Sequence, residues 1–349
     1  MTGHSPIANR KSQIENRILL AHGGGGELTR QLLAERIVPK LSNALLAPLT
    51  DSALLDLPSG RICLTTDAYV VQPVEFPGGD IGRLAVCGTV NDLAVCGARP
   101  HALSLALVLE EGLELALLDR VIDSIAAAAK EAGVVVATGD TKVVERQRGD
   151  GLTITTAGVG PLREGVQLGM ERVRAGDVIL VTGRIAEHGL AVMSAREGLK
   201  FSTAIRSDVA PLVSLIESML AAGGAGVKFL RDPTRGGLAC VLADLAEGAK
   251  LAVEVEESAV PISAAVLHTA EMLGLDPLTI ANEGKCVAVV ASDAADAVLA
   301  ACRSHPLGAC AAIIGRLVES PVPLVELITR IGGRRIVQRP YGEELPRIC

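Results

Sequence analysis

The chain has 349 residues, more than a single hydrophobic core usually organises, so two domains are expected. Hydrophobic residues make up 49% of the chain but aromatic residues only 1%, and Trp is absent. The core must therefore be built from Val, Leu, Ile and Ala. A formal net charge of −7, without any cluster of Lys and Arg, argues against nucleic-acid binding as a main role.

The sequence contains no segment suited to a membrane. No run approaches the ~20 uninterrupted apolar residues that a membrane helix requires. The first residues, which include His4, Pro6 and Lys11, lack the apolar core of a secretory signal. We therefore expect a soluble, cytoplasmic protein that has neither a membrane nor a nucleic acid as a partner.

In chain order, the first half mixes strands with long helices. This α+β pattern is typical of a domain in which helices cover one face of a sheet. The predicted elements are a strand at 17–20, a helix at 28–41, strands at 52–57 and 61–71, a helix at 81–96, a strand at 102–109, a helix at 114–132, and strands at 134–138 and 152–158.

The pattern restarts after a polar turn near 172–177, with an apolar strand at 178–182. We place the domain boundary at 165–176. The chain then divides into an N-terminal extension (1–15), a first domain (16–165), a second domain (176–333) and a tail (334–349). Because Pro340 and Pro346 prevent a regular helix, the tail is predicted to be mobile.

The chain has eight cysteines and no CxxC pair, which argues against a zinc ribbon or a thioredoxin-type site. The last is the final residue, Cys349. The other seven lie among Ala, Val and Leu and are predicted to be small buried residues: Cys63, Cys87, Cys96, Cys240, Cys286, Cys302 and Cys310.

A glycine tract precedes the first predicted helix. Four consecutive glycines there can bring backbone N–H groups close to phosphate oxygens at the helix N-terminus. The tract is not a P-loop, because no Lys-Ser/Thr pair follows it. On spacing alone, a phosphate site and a flexible loop are about equally favoured. The residues are Gly23, Gly24, Gly25 and Gly26.

Four aspartates lie where a carboxylate is costly unless it is paired or bound to metal. Asp67 and Asp140 are predicted at the ends of apolar strands, Asp92 stands beside Asn91 in an apolar helix, and Asp51 opens a strand region. Each alone is better explained as a turn or cap residue. As a set, they favour Mg²⁺ held together with nucleotide phosphates.

Three further segments carry candidate chemistry. Lys142 would share one side of an extended segment with Asp140 and could neutralise a transferring phosphoryl group; a solvated lysine is the alternative. Thr234 and Arg235 precede a Gly-Gly helix start that suits anions. Glu283 lies in a turn before a strand and is either a general base, a metal ligand or an ordinary surface residue.

The chain ends in Cys349. A thiol at the end of a flexible tail is accessible, and no packing argument requires it. Prenylation needs three residues after the cysteine and is excluded. The residue could be incidental, but exposed free thiols are usually avoided.

Together these segments resemble one family. The strings are HGGGG, TTDAYVV, VNDLAVCGARP, TGDTKVV, DPTRGGLA, ANEGK and a terminal PRIC. They are similar to the HypE family of hydrogenase maturation proteins, within the superfamily of aminoimidazole ribonucleotide synthetase and selenophosphate synthetase. The resemblance runs from about residue 18 to the end. The aspartate motifs are shared by the superfamily, whereas PRIC, HGGGG and DPTRGG narrow it to HypE.

The resemblance implies a two-domain PurM-like fold whose first domains pair into a barrel across a homodimer, with ATP nearby. A carbamoyltransferase (HypF) would load Cys349, ATP and Mg²⁺ would drive dehydration to a thiocyanate, and a HypC–HypD complex would receive the cyanide. Cys349, Lys142 and Glu283 would be catalytic, and Asp51, Asp67, Asp92 and Asp140 would hold the metal. The nucleotide residues would be Gly23, Gly24, Gly25, Gly26, Asp67, Asn91, Asp92, Asp140, Thr234 and Arg235.

Two other interpretations remain open on the sequence. The chain could be another synthetase or kinase of the superfamily that acts on a free small molecule; its activity would survive loss of Cys349. It could also be a non-catalytic thiol carrier, which would not hydrolyse ATP.

Overall fold

The structure is a computed structural model that describes residues 17–19, 22, 27–46, 60–198, 205–340 and 348. The residues predicted to bind nucleotide or metal at Gly23, Gly24, Gly25, Gly26 and Asp51, and the predicted substrate carrier Cys349, lie outside these residues. Within them, no helix is long and apolar enough to cross a membrane.

The first domain joins a four-stranded sheet to helices on one of its faces. The sheet order is β1-β6-β4-β5, antiparallel except for the parallel pair β4 and β5. Its elements are α1 (Glu27–Leu32) running through a π-helical segment (Leu33–Ile37) into α2 (Val38–Leu41), β1 (Ile62–Tyr69), a small hairpin of β2 (Glu75–Phe76) and β3 (Gly79–Asp80), α3 (Ile81–Val95), β4 (Ala102–Glu110), α4 (Leu115–Ala132), β5 (Val135–Val144) and β6 (Leu152–Pro161).

The second domain is built on a seven-stranded sheet in the order β13-β12-β9-β11-β7-β10-β8. Its elements are β7 (Val178–Val181), α5 (Glu187–Arg196), α6 (Val213–Gly223), β8 (Val227–Arg231), α7 (Gly237–Ala249), β9 (Ala252–Glu256), α8 (Ala264–Leu273), β10 (Val287–Val290), α9 (Ala295–Ser304), β11 (Ala312–Val318), β12 (Val325–Ile328) and β13 (Arg334–Ile336), with 3₁₀ turns at Met170–Arg172, Gly224–Gly226, Glu257–Ala259 and Pro306–Gly308.

The central strands of the second sheet are buried on both faces, which explains their uninterrupted apolar sequence. Val287 and Val289 of β10 belong to a core shared with α7, whereas Ala288 and Val290 belong to a core shared with α6 and α9. Successive side chains of a strand point to opposite faces, so helices cover both sides of this sheet.

Helix α3 joins the two domains. Nearly all its residues are buried, since it packs on β1 and β6, on α4, and on α6 and β8 of the second domain. Its N-terminus is capped by Asp80, whose carboxylate accepts the Arg83 N–H at 2.8 Å. A helix that is buried on all sides consists almost wholly of apolar residues. Asp92 is therefore an exception in α3.

The structure confirms the α+β class of the first domain and corrects several local predictions. The expected strand at 17–20 is only an isolated bridge from Arg17 to Glu114 among the described residues. Asp67 and Asp140 lie inside β1 and β5 rather than at strand ends. Cys96 and Cys310 are exposed, against the prediction that they are buried; Cys87, Cys286 and Cys302 are buried as expected.

The described residues of the tail, 334–340 and 348, are held against the rest of the protein. Residues Arg334–Ile336 form β13, the antiparallel partner of β12, because the backbone continues along an open sheet edge. Arg339 forms ion pairs with Asp244 and Glu247 at 2.5 and 2.8 Å. At the far end, Ile348 is buried.

Candidate functional site

A narrow pocket lies between β1 and α3 of the first domain and two loops of the second. Its lining is rich in carboxylates, and only one cationic side chain lies among them. The lining residues are Asp67, Ala68, Tyr69, Gly88, Asp92, Asp232, Thr234, Arg235 and Glu283. The arrangement therefore gathers negative charge at the junction of the domains.

Asp67 and Asp92 face each other because of the strand alternation of β1 and the helical repeat of α3. Residues 65, 67 and 69 of β1 share the face that α3 covers, and Thr89 and Asp92 lie one turn apart on that helix. Thr65 Oγ1 donates to Asp92 Oδ2 at 2.8 Å, and Tyr69 Oη donates to Asp67 Oδ2 at 3.2 Å. The two carboxyl groups lie close enough for the charge of Asp67 to raise the pKa of Asp92, and a hydroxyl donor holds each of them in place.

Gly88 is required for this packing. A Cβ added there would lie 2.1 Å from Tyr69 Oη, so any side chain would displace the Tyr69 hydroxyl from Asp67. The close approach of α3 to β1 thus depends on a glycine one turn before Asp92.

Asp232 and Glu283 complete the carboxylate group from the second domain. Asp232 directly follows β8, and Glu283 lies in the loop before β10, only 3% exposed. Glu283 Oε1 has no hydrogen-bond partner within the described residues. An ionisable oxygen buried without a partner is unfavourable, and here it belongs to a side chain that lines the pocket.

The carboxylates raise one another's pKa values. Burial, and then the charge of Asp67, raises the pKa of Asp92 to about 6. Burial, and then the charge of Asp92, raises the pKa of Asp232 to about 7. Burial followed by the charges of Asp232, Asp208 and Asp67 holds the pKa of Glu283 well above its usual range, although Arg235 opposes this. The pocket therefore favours protons or other cations.

A buried polar network fixes the Glu283 loop. Asp208 accepts the backbone N–H groups of Glu283 and Gly284 at 3.2 and 3.3 Å and pairs with Lys285 at 3.1 Å. Gly284 leaves no space for a side chain, since a Cβ would lie 1.8 Å from the Asp208 carbonyl oxygen. Glu283 is thus a fixed buried residue and not part of a surface turn.

Asn91 connects the two domains. Its side-chain N–H group donates to the Ala210 carbonyl at 3.1 Å and its oxygen accepts the Leu212 N–H at 2.7 Å. The side chain also reaches the Glu283 carbonyl at 3.4 Å. Within one chain these contacts make Asn91 a support for the pocket rather than part of its lining.

Asp140 and Lys142 lie elsewhere. They form the expected same-side pair, with Lys142 Nζ 3.8 Å from Asp140 Oδ2, and both are largely exposed. However, Asp140 aligns across the sheet with Ala106, Thr155 and Ala68, so its side chain points to the opposite face from Asp67. Strand β5 is also the far edge from β1. The structure does not bring these two residues to the pocket within one chain.

Sequence reasoning placed Asp67, Asp92, Thr234, Arg235 and Glu283, and the structure brings all five together. It did not assign Asp232, although the aspartate stands first in the DPTRGGLA string after a strand, the same signal that selected Asp67. It also missed Asp208, which holds the backbone of the Glu283 loop although it lies 75 positions earlier in the sequence.

The donor set suits a hard cation that is completed by phosphate oxygens. Among the described residues, no three carboxylate, imidazole or thiol groups are already spaced to hold a metal ion. Mg²⁺ is commonly held by only one or two carboxylates together with substrate phosphates and water. Asp67 and Asp92 line the same pocket, and burial and neighbouring negative charge raise the pKa of Asp92, so the pair fits that role.

Comparison with known proteins identifies both domains. The family described as AIR synthase related protein, N-terminal domain, matches residues 49–162, and its C-terminal counterpart matches 174–327. Carbamoyl dehydratase HypE of Rhizobium leguminosarum bv. viciae is 49% identical over 341 residues, 97% of each chain. The Escherichia coli K12 protein of that name is 44% identical over 339 residues, 96% of this chain and 100% of that protein.

Solved structures of the same family are also similar to this chain. A crystal structure of hydrogenase maturation protein HypE in complex with ATP has a TM-score of 0.91 and 42% identity, covering 95% of this chain and 99% of that one. A crystal structure of a HypE–HypF complex matches with a TM-score of 0.78 and 44% identity, covering 90% of this chain and 100% of that one.

Proposed function

This chain belongs to the HypE family of carbamoyl dehydratases, which serve hydrogenase maturation, and from that premise we propose how its residues act. The chain uses ATP to dehydrate a carbamoyl group carried on the Cys349 sulfur, converting the S-carboxamide to an S-cyanide. The observation that carries this proposal is the buried Glu283, whose Oε1 has no hydrogen-bond partner in the described part of the chain and which lies in a pocket with three aspartates.

The chemistry requires activation of the carboxamide oxygen, because oxide is a poor leaving group. The amide oxygen attacks the γ-phosphorus of ATP, the bond to the bridging oxygen of ADP breaks, and one amide proton leaves. Loss of phosphate from the resulting imidate, with removal of the second N–H proton, forms the C≡N bond. We assign proton acceptance to Glu283, because its buried Oε1 has no hydrogen-bond partner among the described residues.

The aspartates would hold the cation that accompanies the nucleotide. We propose Mg²⁺ ligation by Asp67 and Asp92, with Asp232 beside them. When bound, the ion would neutralise phosphate charge and so favour attack at the γ-phosphorus. Arg235 is the cationic side chain in the pocket lining, and Thr234 supplies a hydroxyl at the start of the loop before α7.

We further propose that the protein works as a homodimer. The sheet face opposite α3 is open, with Leu64 of β1 73% exposed and Ile62 54% exposed. An open apolar sheet face favours a partner. Asp140 and Lys142 lie on this same face, so a second copy could bring them to a nucleotide as the family resemblance implies. A monomeric mass by light scattering, at concentrations used for activity, would exclude the dimer.

The experiment that tests the function is intact-mass analysis. The protein is incubated with the carbamoyltransferase and its substrates, with and without ATP in a second step. We expect one carbamoyl adduct on Cys349 that loses the mass of one water only when ATP is added, and that loses the remaining cyano group to a HypC–HypD complex. The expected carbamoyl loading partner is HypF, in keeping with the related HypE–HypF complex.

A Cys349→Ala variant is the matched control and should acquire no adduct. An adduct that forms equally on this variant, or a wild-type adduct that never loses water, would contradict the proposal. Undiminished ATP turnover on a free small molecule in Cys349→Ala would favour the alternative of a kinase or synthetase.

A further inference from the structure

His188 is a fully buried histidine that holds the penultimate residue of the chain. It lies in the first turn of α5 and is 0% exposed. One ring nitrogen, Nε2, is 2.7 Å from the Ile348 carbonyl oxygen, and the other, Nδ1, is 2.8 Å from Ser207 Oγ. Because a carbonyl oxygen can only accept, Nε2 must carry a proton, and in the neutral ring Nδ1 then accepts from the Ser207 hydroxyl.

The surroundings fix the ring. Phe76 packs edge-on against it, with ring centroids 5.4 Å apart, and Ser207 Oγ also accepts the Val209 N–H at 3.1 Å. Burial lowers the pKa of His188, which keeps the imidazole neutral and preserves the tautomer that donates to Ile348. The donor is thus set in position and in protonation state.

The Ile348 side chain is buried as well. It is 7% exposed and belongs to the large hydrophobic core of the first domain, to which the second domain contributes Val192, Val209 and Ala281. Val192 lies one turn beyond His188 on α5, and Ala281 stands two residues before Glu283. We call His188, Ser207 and these three core residues the Ile348 socket. Its observed bond to Ile348 is the one from His188 to the carbonyl oxygen.

The tail is also fixed at Arg339, nine residues before Ile348. The Arg339 guanidinium donates to Asp244 and Glu247 of α7 at distances from 2.5 to 3.0 Å. The chain is therefore attached at 339 and again at 348. Cys349 directly follows Ile348 in the sequence.

We propose that His188 and the Ile348 socket position the carbamoyl group on Cys349 for proton removal by Glu283. This inference rests on the proposed function. His188 is a positioning residue that acts through the Ile348 carbonyl and not on the substrate. Few contacts separate His188 from Glu283. The backbone of the Glu283 loop donates to Asp208, and Ser207, the residue before Asp208, is hydrogen-bonded to His188.

Two His188 variants separate positioning from simple packing. His188→Leu removes the donor, whereas the amide N–H of His188→Gln can replace Nε2. With the carbamoyl group already loaded, we expect His188→Leu to slow ATP-dependent dehydration at least tenfold, since misplacing reacting groups by about 1 Å can slow a reaction about 100-fold. His188→Gln should remain within about threefold of wild type, because one donor is restored.

Thiol accessibility gives a readout that needs neither ATP nor the carbamoyl group. Iodoacetamide alkylation of Cys349 should be at least about fivefold faster in His188→Leu than in wild type, as expected when a hydrogen bond of about 1 kcal/mol is lost. The exposed Cys310 is the internal reference and should react at one rate in all variants. Peptide mass spectrometry resolves the two sites.

An Ile348→Gly variant keeps the test valid if His188→Leu does not fold, because it alters only the penultimate residue. It should show the same slower dehydration and faster Cys349 alkylation. Wild-type rates of both reactions in His188→Leu, or in Ile348→Gly, would overturn the socket. Failure of wild type to dehydrate its carbamoyl adduct would instead contradict the proposed function, and the alkylation rates would still decide the socket.

Discussion

Glu283→Gln is expected to load a carbamoyl group on Cys349 normally and to fail to dehydrate it. Glutamine fills the same space but cannot accept a proton at neutral pH. General-base catalysis contributes about 100-fold to 10,000-fold, so the single-turnover dehydration rate should fall by about that factor. The rate is measured by quenching carbamoylated protein after ATP addition and following the loss of one water by intact mass.

The pH dependence should identify the same group. Burial and neighbouring carboxylates raise the pKa of Glu283, so more of the wild-type enzyme carries a deprotonated Glu283 as the pH rises. The dehydration rate should therefore increase with pH, and this increase should be absent in Glu283→Gln. A variant that keeps both the rate and the wild-type pH profile would exclude Glu283 as the base.

Glu187→Gln is the matched control. Burial also raises the pKa of Glu187, and the residue lies near Lys285, but it does not line the carboxylate pocket. Its substitution should change the dehydration rate by no more than about threefold, in keeping with a group that touches no reacting atom. Equal losses in both variants would point to a general effect of buried charge.

The carboxylate pocket could be predicted in part from sequence, because each residue carries a local signal. Asp92 interrupts an apolar helix, and an unpaired acid there is costly. Asp67 interrupts an apolar strand in the same way. These two observations required no knowledge of the partner, and the structure places the two carboxylates in one pocket.

Sheet register is not visible in the sequence, so the sequence could not show that Asp140 lies away from Asp67 and Asp92 within one chain. The apolar run before Asp140 suggested a strand end, whereas the strand continues to Val144 by parallel pairing with β4. Side chains alternate along a strand, so a shift of one residue moves a carboxylate to the other face. Only the pairing with β4 decides which face Asp140 occupies.

The Ile348 socket could not be predicted from local patterns. His188 and Ile348 are 160 positions apart, and Val209 and Ala281 come from two further segments. The Pro-containing tail carried no signal that Ile348 would be buried and bonded to His188 on α5, since such a contact depends on the tertiary arrangement of both domains.

Asp92→Asn should show opposite effects on stability and on activity. In the folded protein, burial and Asp67 raise the pKa of Asp92 from 3.8 to about 6. The folded state then binds the proton more tightly than the unfolded state, so stability falls as the pH rises from about 4 through about 6 and stays reduced above that. Asparagine carries no charge, and the variant should be more stable than wild type at pH 8 by about 1 to 2 kcal/mol after allowance for solvent screening.

The stability gain should vanish near pH 4, where wild-type Asp92 is protonated as well. Urea unfolding at pH 4 and pH 8, without nucleotide or Mg²⁺, measures both values. In the presence of Mg²⁺ and ATP the order should reverse, because ligand binding stabilises the folded state by mass action and the variant lacks one proposed ligand. ATP turnover should fall at least about 100-fold, as expected when a group that organises phosphoryl transfer is removed.

Asp177→Asn provides the contrast, since this buried aspartate has a cationic partner. Its carboxylate pairs with Lys228 at 2.6 Å and accepts the Arg174 N–H at 2.7 Å. Removing it leaves the lysine unpaired, which should destabilise the protein by about 3 kcal/mol without affecting the response to Mg²⁺ and ATP. A cluster of like charges that lacks a cationic partner gains stability when one of its members is neutralised. If Asp92→Asn instead loses stability at pH 8, as Asp177→Asn does, or if it keeps full ATP turnover, then the pocket carboxylates do not hold a cation for the nucleotide.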